Sequence, residues 1–429
     1  MRKASRWRIL PLALGLLGLL GAAPASAAPG RRGGGDLLLQ HALQGLSVMG
    51  SLDAHPRGTY ALLTAQGFPV EEHSVRTQDG YLLGLFRIPR PGRPAVLLYH
   101  GLLNSSADLV LLGRGRALPQ LLYAAGFDVW LGNARGTAAS QRHEWLRPNQ
   151  AEFWDFTWHE IGTLDLPAVI DYVLAETGQA TLHYVGHSQG TTTFFVLGSE
   201  RPEYMDKVAT FTGLAPVAYT RDMRSVPLQL LALAPNFFGG LLSLFGIHKL
   251  GDLSIAPWLG DTFCSDGKIT QPLCADVMFV ICGWDPAQLN MTMIPEITAN
   301  TPASVSVKQL VHYGQLAHSR DLAFRQFDLG RRGNLKKYNA THPPDYDLSR
   351  VRVPTYLVYG ANDLLSVQSN IDKLSLQLPS IAPGGLRRVP YDRFTHLDFI
   401  FGTNAKELVY DDVIAKITRS LNFETDNKA

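Results

Sequence analysis

The sequence predicts an α/β fold: a mostly parallel central sheet with helices on both faces, interrupted by one long insertion. Three observations predict it. Strand-like apolar runs alternate with helix-like stretches along most of the chain, the pattern of a parallel sheet built from crossover connections. Several of these runs, such as "PAVLLYHG", are apolar throughout, as strands buried on both faces must be. The alternation lapses from about Tyr219 to Pro344, a stretch rich in Pro, Gly, Phe and Leu that holds all three cysteines.

Each element has its own signal. Arg2, Lys3, Arg6 and Arg8 precede "ILPLALGLLGLLGAA" and then "PASAAPG", the plan of a secretory leader cleaved near Ala27 or Ala28. Residues 28–57, with "PGRRGGGD", read as a flexible mature N-terminus. The first core part spans 58–218. Within it "EEHSVRTQDGYLLGLFRIP" forms two strands around a turn at Gln78-Asp79-Gly80. "PAVLLYHG" and "DVWLGNARG" are strands separated by the helix "LPQLLYAAGF", which Gly126 ends. "IGTLDLPAVIDYVLAETG" is a helix stopped at Gly178. "TLHYVGHS" is a strand, "GTTTFFVLGSE" begins a helix, and "VATFTGLAPVA" is the next strand. The insertion spans 219–344 and the second core part 345–429. The latter carries the strands "VPTYLVYGAND" and "GGLRRVPYDRF" and the amphipathic helix "ELVYDDVIAKITRSLNF".

Composition narrows the function. Hydrophobic residues at 46% and charged residues at 18% describe a globular chain. The net charge of +2 reflects the leader: without its four cations, 35 Lys+Arg face 37 Asp+Glu. A nearly neutral mature chain does not fit a nucleic-acid partner. No Cys-x-x-Cys or His-rich spacing points to a metal, so no cofactor is expected. Export implies an oxidising compartment. Cys264, Cys274 and Cys282 then allow one disulfide and one spare thiol. Sequons stand at Asn104, Asn290 and Asn339. Ser225 to Ile247 carries no charged side chain, yet Pro227, Pro235 and Gly239-Gly240 oppose one continuous membrane helix. The segment reads as a lid or pocket wall that meets lipid, with ordinary core as the alternative.

The chemistry centres on Gly-His-Ser-Gln-Gly at 186–190, a G-x-S-x-G pattern between a strand and a helix. Such a turn holds a strained serine with neighbouring chain packed close, so side chains two positions either side would collide. It lifts the Ser188 hydroxyl above the sheet and aims the following helix's amides at a developing oxyanion. A serine needs a base, and the base an orienting carboxylate. In this architecture the order is Ser, acid, His. Asp363 follows the late strand "PTYLVYG", and His396 lies after the last strand in "VPYDRFTHLDF". Asp392 and Asp398 compete as acids. His187 precedes the serine and is expected to pack or hydrogen-bond beneath the turn. His100-Gly101 matches the loop that donates the second oxyanion amide, which assigns the two donors to Leu102 and Gln189.

The chain resembles the acid lipases of animals, the group of gastric lipase and lysosomal acid lipase. The resemblance runs from about Gly58 to the C-terminal helix. It is carried by "TQDGYLLGLFRIP", "LLYHGLLNSSADLV", "AGFDVWLGNARGT", "EFWDFTWHEIGTLDLPAVIDYVL", "YVGHSQGTT", "LVHYGQLAHSRDLAFRQFDLG" and "THLDFIFG". It implies an α/β-hydrolase core with a cap inserted before the acid-bearing strand. It also implies Ser188 as nucleophile, Asp363 as acid, His396 as base, and the amides of Leu102 and Gln189 as oxyanion donors. A Cys264–Cys274 disulfide is implied too, although spacing alone leaves 274–282 open. The implied substrates are triacylglycerols and, in the lysosomal branch, cholesteryl esters met at an emulsion or membrane interface. The segment from about Ser225 to Gly260 departs from the family in detail. A glycan on Asn104 would obstruct the oxyanion loop, which leaves Asn290 and Asn339 as the candidate glycan sites. Two rival readings are an esterase or acyltransferase with the same triad, and a catalytically silent lipid-binding protein.

Overall fold

The structure, a computed structural model, describes residues 58–251, 271–319 and 321–426. The expected leader, the segment 28–57 and Cys264 lie outside the described residues, as does the side chain of Cys274.

Eleven strands are seen among the described residues. They are β1 (Glu71–Arg76), β2 (Tyr81–Ile88), β3 (Ala95–Tyr99), β4 (Asp128–Gly132), β5 (Arg142–His143), β6 (Leu182–His187), β7 (Val208–Leu214), β8 (Lys249–Leu250), β9 (Val305–Ser306), β10 (Thr355–Tyr359) and β11 (Ile381–Arg388). Nine form the main sheet in the order β1-β2-β4-β3-β6-β7-β10-β11, with β5 against β2. The pairs from β4 to β11 are parallel, while β2 runs antiparallel to β1, β4 and β5. β11 begins earlier than its sequence suggests, because the register with β10 shifts after Thr355 and absorbs Pro383-Gly384-Gly385 as an irregularity.

Both faces of the sheet are buried, which explains the unbroken apolar runs. Ala95, Leu97, Tyr99, Trp130, Tyr184 and Leu357 enter one core. Their strand neighbours Val96, Leu98, Val129, Leu131, Val185 and Val358 enter the other. α1 (Leu118–Ala124) and α2 (Leu166–Thr177) link successive strands, and α2 ends on Gly178 at φ 67°. A π turn, Ile161–Asp165, leads into α2. It brings the fully buried Asp165 onto Arg135, whose guanidinium also pairs with Asp79. α3 (Gln189–Glu200) follows β6 directly.

Between β7 and β10 the described residues are mainly helical. It contains α4 (Val226–Ala232), α5 (Pro235–Leu244), α6 (Gln271–Cys282) and α7 (Val307–His318), and the two-residue β8–β9 pair. α4 and α5 meet at 81°, and no single described helix is long and apolar enough to cross a membrane. A proline in the first turn of each starts a new helix rather than extending the old one. α8 (Asp411–Asp426) closes the chain against the sheet.

Candidate active site

Ser188 stands between β6 and α3 with φ 52° and ψ −117°. This is the left-handed side of backbone space, costly for a residue with a Cβ and kept only where packing enforces it. Its neighbours show the enforcement. A Cβ on Gly186 would lie 2.7 Å from the backbone of Gly190, and one on Gly190 would overlap the carbonyl oxygen of Tyr99. The two glycines therefore let strand, turn and helix approach one another, as the motif's steric reading requires.

Three predicted side chains converge. His396 Nε2 is 2.7 Å from Ser188 Oγ, and His396 Nδ1 is 2.8 Å from Asp363 Oδ2. A carboxylate only accepts, so Nδ1 carries the proton and Nε2 accepts from the serine hydroxyl. Asp363 is fixed at its other oxygen, which accepts from the amides of Leu365 at 2.7 Å and Ser366 at 2.8 Å. All three residues are buried.

The competing acids go elsewhere. Asp398 Oδ2 accepts from Thr395 N at 2.6 Å, and burial pushes its carboxyl up to about 7. Asp392 is exposed and pairs with Arg388. His187 does lie beneath the turn: its Nε2–H donates to the carbonyl of His396 at 3.1 Å, and burial lowers it to about 3. It is therefore a neutral strut between the serine strand and the histidine loop. His100 is a second strut. Its Nδ1–H donates to Gly101 O at 2.8 Å, its Nε2 accepts from Ala134 N at 3.1 Å, and burial lowers it to about 4.

The loop after β3 passes directly over the serine, since a Cβ on Gly101 would lie 3.1 Å from Ser188 Cβ. Leu102 follows immediately. Among the described residues, neither the Leu102 nor the Gln189 backbone N–H is paired with a protein acceptor. Both are thus free to meet an oxygen bound beside Ser188.

Sequence reasoning missed the brace behind these three side chains. The carbonyl of Cys282, at the end of α6, accepts from Leu364 N at 3.3 Å and His396 N at 3.4 Å, tying the acid loop to the histidine loop. The next residue, Gly283, has φ 125°, and a Cβ there would overlap the carbonyl oxygen of Asn362 and lie 2.8 Å from Thr395 Cγ2. Asn362 Nδ2 completes the brace by donating to Trp284 O at 3.0 Å. Cys282 itself is a buried free thiol, with its pKa raised by burial and then by Asp363 and Asp398. The only local signal was the glycine after Cys282; the partners lie some eighty and more residues further along.

Among the sequons, Asn104 is buried, Asn290 is half-buried with its Oδ1 accepting from Thr292, and Asn339 is exposed. The described residues contain no cluster suited to a metal ion.

Comparison with known proteins places the chain in a family. A family model for the α/β-hydrolase fold matches residues 94–403, and one for a partial α/β-hydrolase lipase region matches residues 59–113. The chain is 41% identical to Lipase 3 of Drosophila melanogaster, over 82% of this chain and 90% of that one. It is 35% identical to gastric triacylglycerol lipase of Rattus norvegicus, over 82% and 90% of the two chains. It is also 35% identical to lysosomal acid lipase/cholesteryl ester hydrolase of Macaca fascicularis, over 82% and 88%. A solved chain from Sulfolobus solfataricus superposes with a TM-score of 0.50 at 15% identity, covering 81% of this chain and 99% of that one, and shares the fold alone. A strained serine beside an imidazole, on this sheet and with these relatives, makes the chain a member of the lipase group of the α/β-hydrolase family, enzymes that cleave carboxylic esters.

Proposed function

We propose that the protein is a lipase of the secretory pathway that hydrolyses fatty-acid esters, triacylglycerols and cholesteryl esters among them, through an acyl-enzyme on Ser188. The contact that carries this reading is the 2.7 Å approach of His396 Nε2 to Ser188 Oγ, with Asp363 on the far side of the ring. His396 takes the serine proton as Oγ attacks the ester carbonyl. The amides of Leu102 and Gln189 hold the negative oxygen; each such donor is worth about 3 kcal/mol in the transition state. The imidazolium, steadied by Asp363, then protonates the departing alcohol. Water, deprotonated by the same ring, releases the fatty acid.

The apolar surroundings of the loop beside the serine support this substrate class. Leu102 and Leu103 pack on an apolar cluster that includes Leu228, Leu231, Leu250, Val305 and Leu310. In this reading residues 219–344 form a cap over the core, and this cluster takes the acyl chain, each buried methylene contributing about 0.8 kcal/mol. The exposed apolar side chains of α4 and α5 meet the lipid surface. Asn290 and Asn339 carry glycans, and Cys264 pairs with Cys274. The apolar leader supplies the route of export.

A fluorophosphonate should label the wild-type protein at Ser188, and Ser188→Ala should abolish both labelling and the release of oleate from triolein and cholesteryl oleate. A folded wild type that is neither labelled nor active would instead support a lipid-binding protein. Activity that vanishes beyond short acyl chains would make it an esterase.

A further inference from the structure

We infer that residues 303–309, which belong to the insertion between β7 and β10, position both oxyanion amides, with Gln309 as the positioning residue on the Gln189 side. The inference rests on the hydrolase reading above.

The two contacts lie only six residues apart in sequence. On one side, Leu103 adopts φ 61°, a strained conformation for a branched side chain. Its carbonyl accepts from Ala303 N at 2.7 Å, which holds the Leu103–Asn104 peptide and, through the strained Leu103, the loop that carries the Leu102 N–H. Ala303 is in turn hemmed in: Gly251 sits at φ 82°, and a Cβ there would overlap the Ala303 carbonyl oxygen. On the other side, Gln189 Nε2 donates to Gln309 Oε1 at 2.8 Å, with both side chains buried. Between these contacts β9 pairs with β8, and Ser306 Oγ donates to Trp154 O at 2.6 Å, anchoring the segment to the core. One turn along α7, Tyr313 OH donates to Thr192 Oγ1 at 3.0 Å and fixes α7 against α3.

The physical argument concerns rigidity. An oxyanion hole works because its donors are already in place, and a displacement near 1 Å can cost about a hundredfold in rate. The Gln189 side chain is held through one end only, since its Oε1 is buried without a partner. Removing the Gln309 acceptor leaves a whole buried amide unsatisfied, and a buried unpaired polar group costs about 1–3 kcal/mol. The first turn of α3, which includes the Gln189 backbone N–H, would shift to relieve it.

The test uses the full-length secreted protein and a soluble short-chain nitrophenyl ester, so that adsorption to lipid plays no part. Gln309→Met should lower kcat by about 10- to 100-fold with KM within about twofold, and should weaken a boronic acid inhibitor by the same factor. Gln309→Glu retains the acceptor and should recover most of both. Gly251→Ala, which pushes on Ala303 from the other side, should also lower kcat, and it serves if the Met variant does not fold. Wild-type kcat and boronate affinity in folded Gln309→Met and Gly251→Ala would overturn the inference while leaving the hydrolase reading intact. A folded wild type inert to both ester and fluorophosphonate would overturn both.

Discussion

At the scale of single residues, the site depends on atoms that are absent as much as on those present. Gly190 has no room for a Cβ because the carbonyl of Tyr99 occupies the space. Gly190→Ala must therefore push α3 off β3 and move Ser188 with it. We expect hydrolysis to fall by at least about a hundredfold, the scale set by a displacement of about 1 Å at a reacting group. An active-site titration by fluorophosphonate would show the change directly; full labelling at the wild-type rate would contradict it. The same scale shows what was legible in advance. Ser188, Asp363 and His396 were readable as a converging set because each lies in a turn or loop that follows a strand, where chain order and turn residues mark it. The choice of Asp363 over Asp398 was readable from chain order. That Asp398 accepts from Thr395 N while Asp363 meets the imidazole was not.

At the scale of elements, the strands and helices of the core follow from local pattern, whereas α4 and α5 depend on what surrounds them. Their sequence is apolar all round, yet the prolines split it and the fold leaves Leu233, Phe237, Leu244 and Phe245 between 65% and 81% exposed. Exposed apolar groups on adjacent helices mark a surface for lipid or protein. Phe237→Ser together with Leu244→Ser should weaken adsorption to a triacylglycerol emulsion by about tenfold or more, given the apolar area lost. Hydrolysis of a dissolved short-chain ester should stay within about twofold of wild type. Equal loss on both substrates would show that the pair supports the fold rather than the interface. The α6 brace belongs to this scale too. Cys282 and Gly283 read as ordinary helix-end residues until the loops of Asp363 and His396 close around them.

At the scale of the whole molecule, burial creates two opposing pH dependences. Burial lowers His100 and His183 to about 4, and His187 and His312 to about 3. Their unfolded forms take up protons first as the pH falls below about 6.5, so each loses folding stability between there and its folded value. Burial raises Asp108 to about 6 and Asp398 to about 7. Their folded forms keep protons that the unfolded chain has already lost, so each adds relative stability as the pH falls from those values toward about 4. Four imidazoles outweigh two carboxyls. Denaturant midpoints should therefore decline from pH 6.5 to pH 4, more steeply below pH 6 than above it, and Asp398→Asn should raise the midpoint at pH 7 relative to wild type. A midpoint that climbs steadily on acidification would contradict this balance.

What the sequence by itself determined was the alternation of strands and helices, the serine turn, and the chain order of the three side chains that meet beside it. These are encoded within short windows: a run of apolar residues, two glycines spaced around a serine, a carboxylate after a strand. The tertiary structure decided which groups press on those windows. Only folding brings Gln309 to Gln189, Ala303 to Leu103 and Cys282 to His396. Hydrogen bonds act over about 3 Å, while these partners are separated by more than a hundred residues along the chain, so no local pattern could announce them.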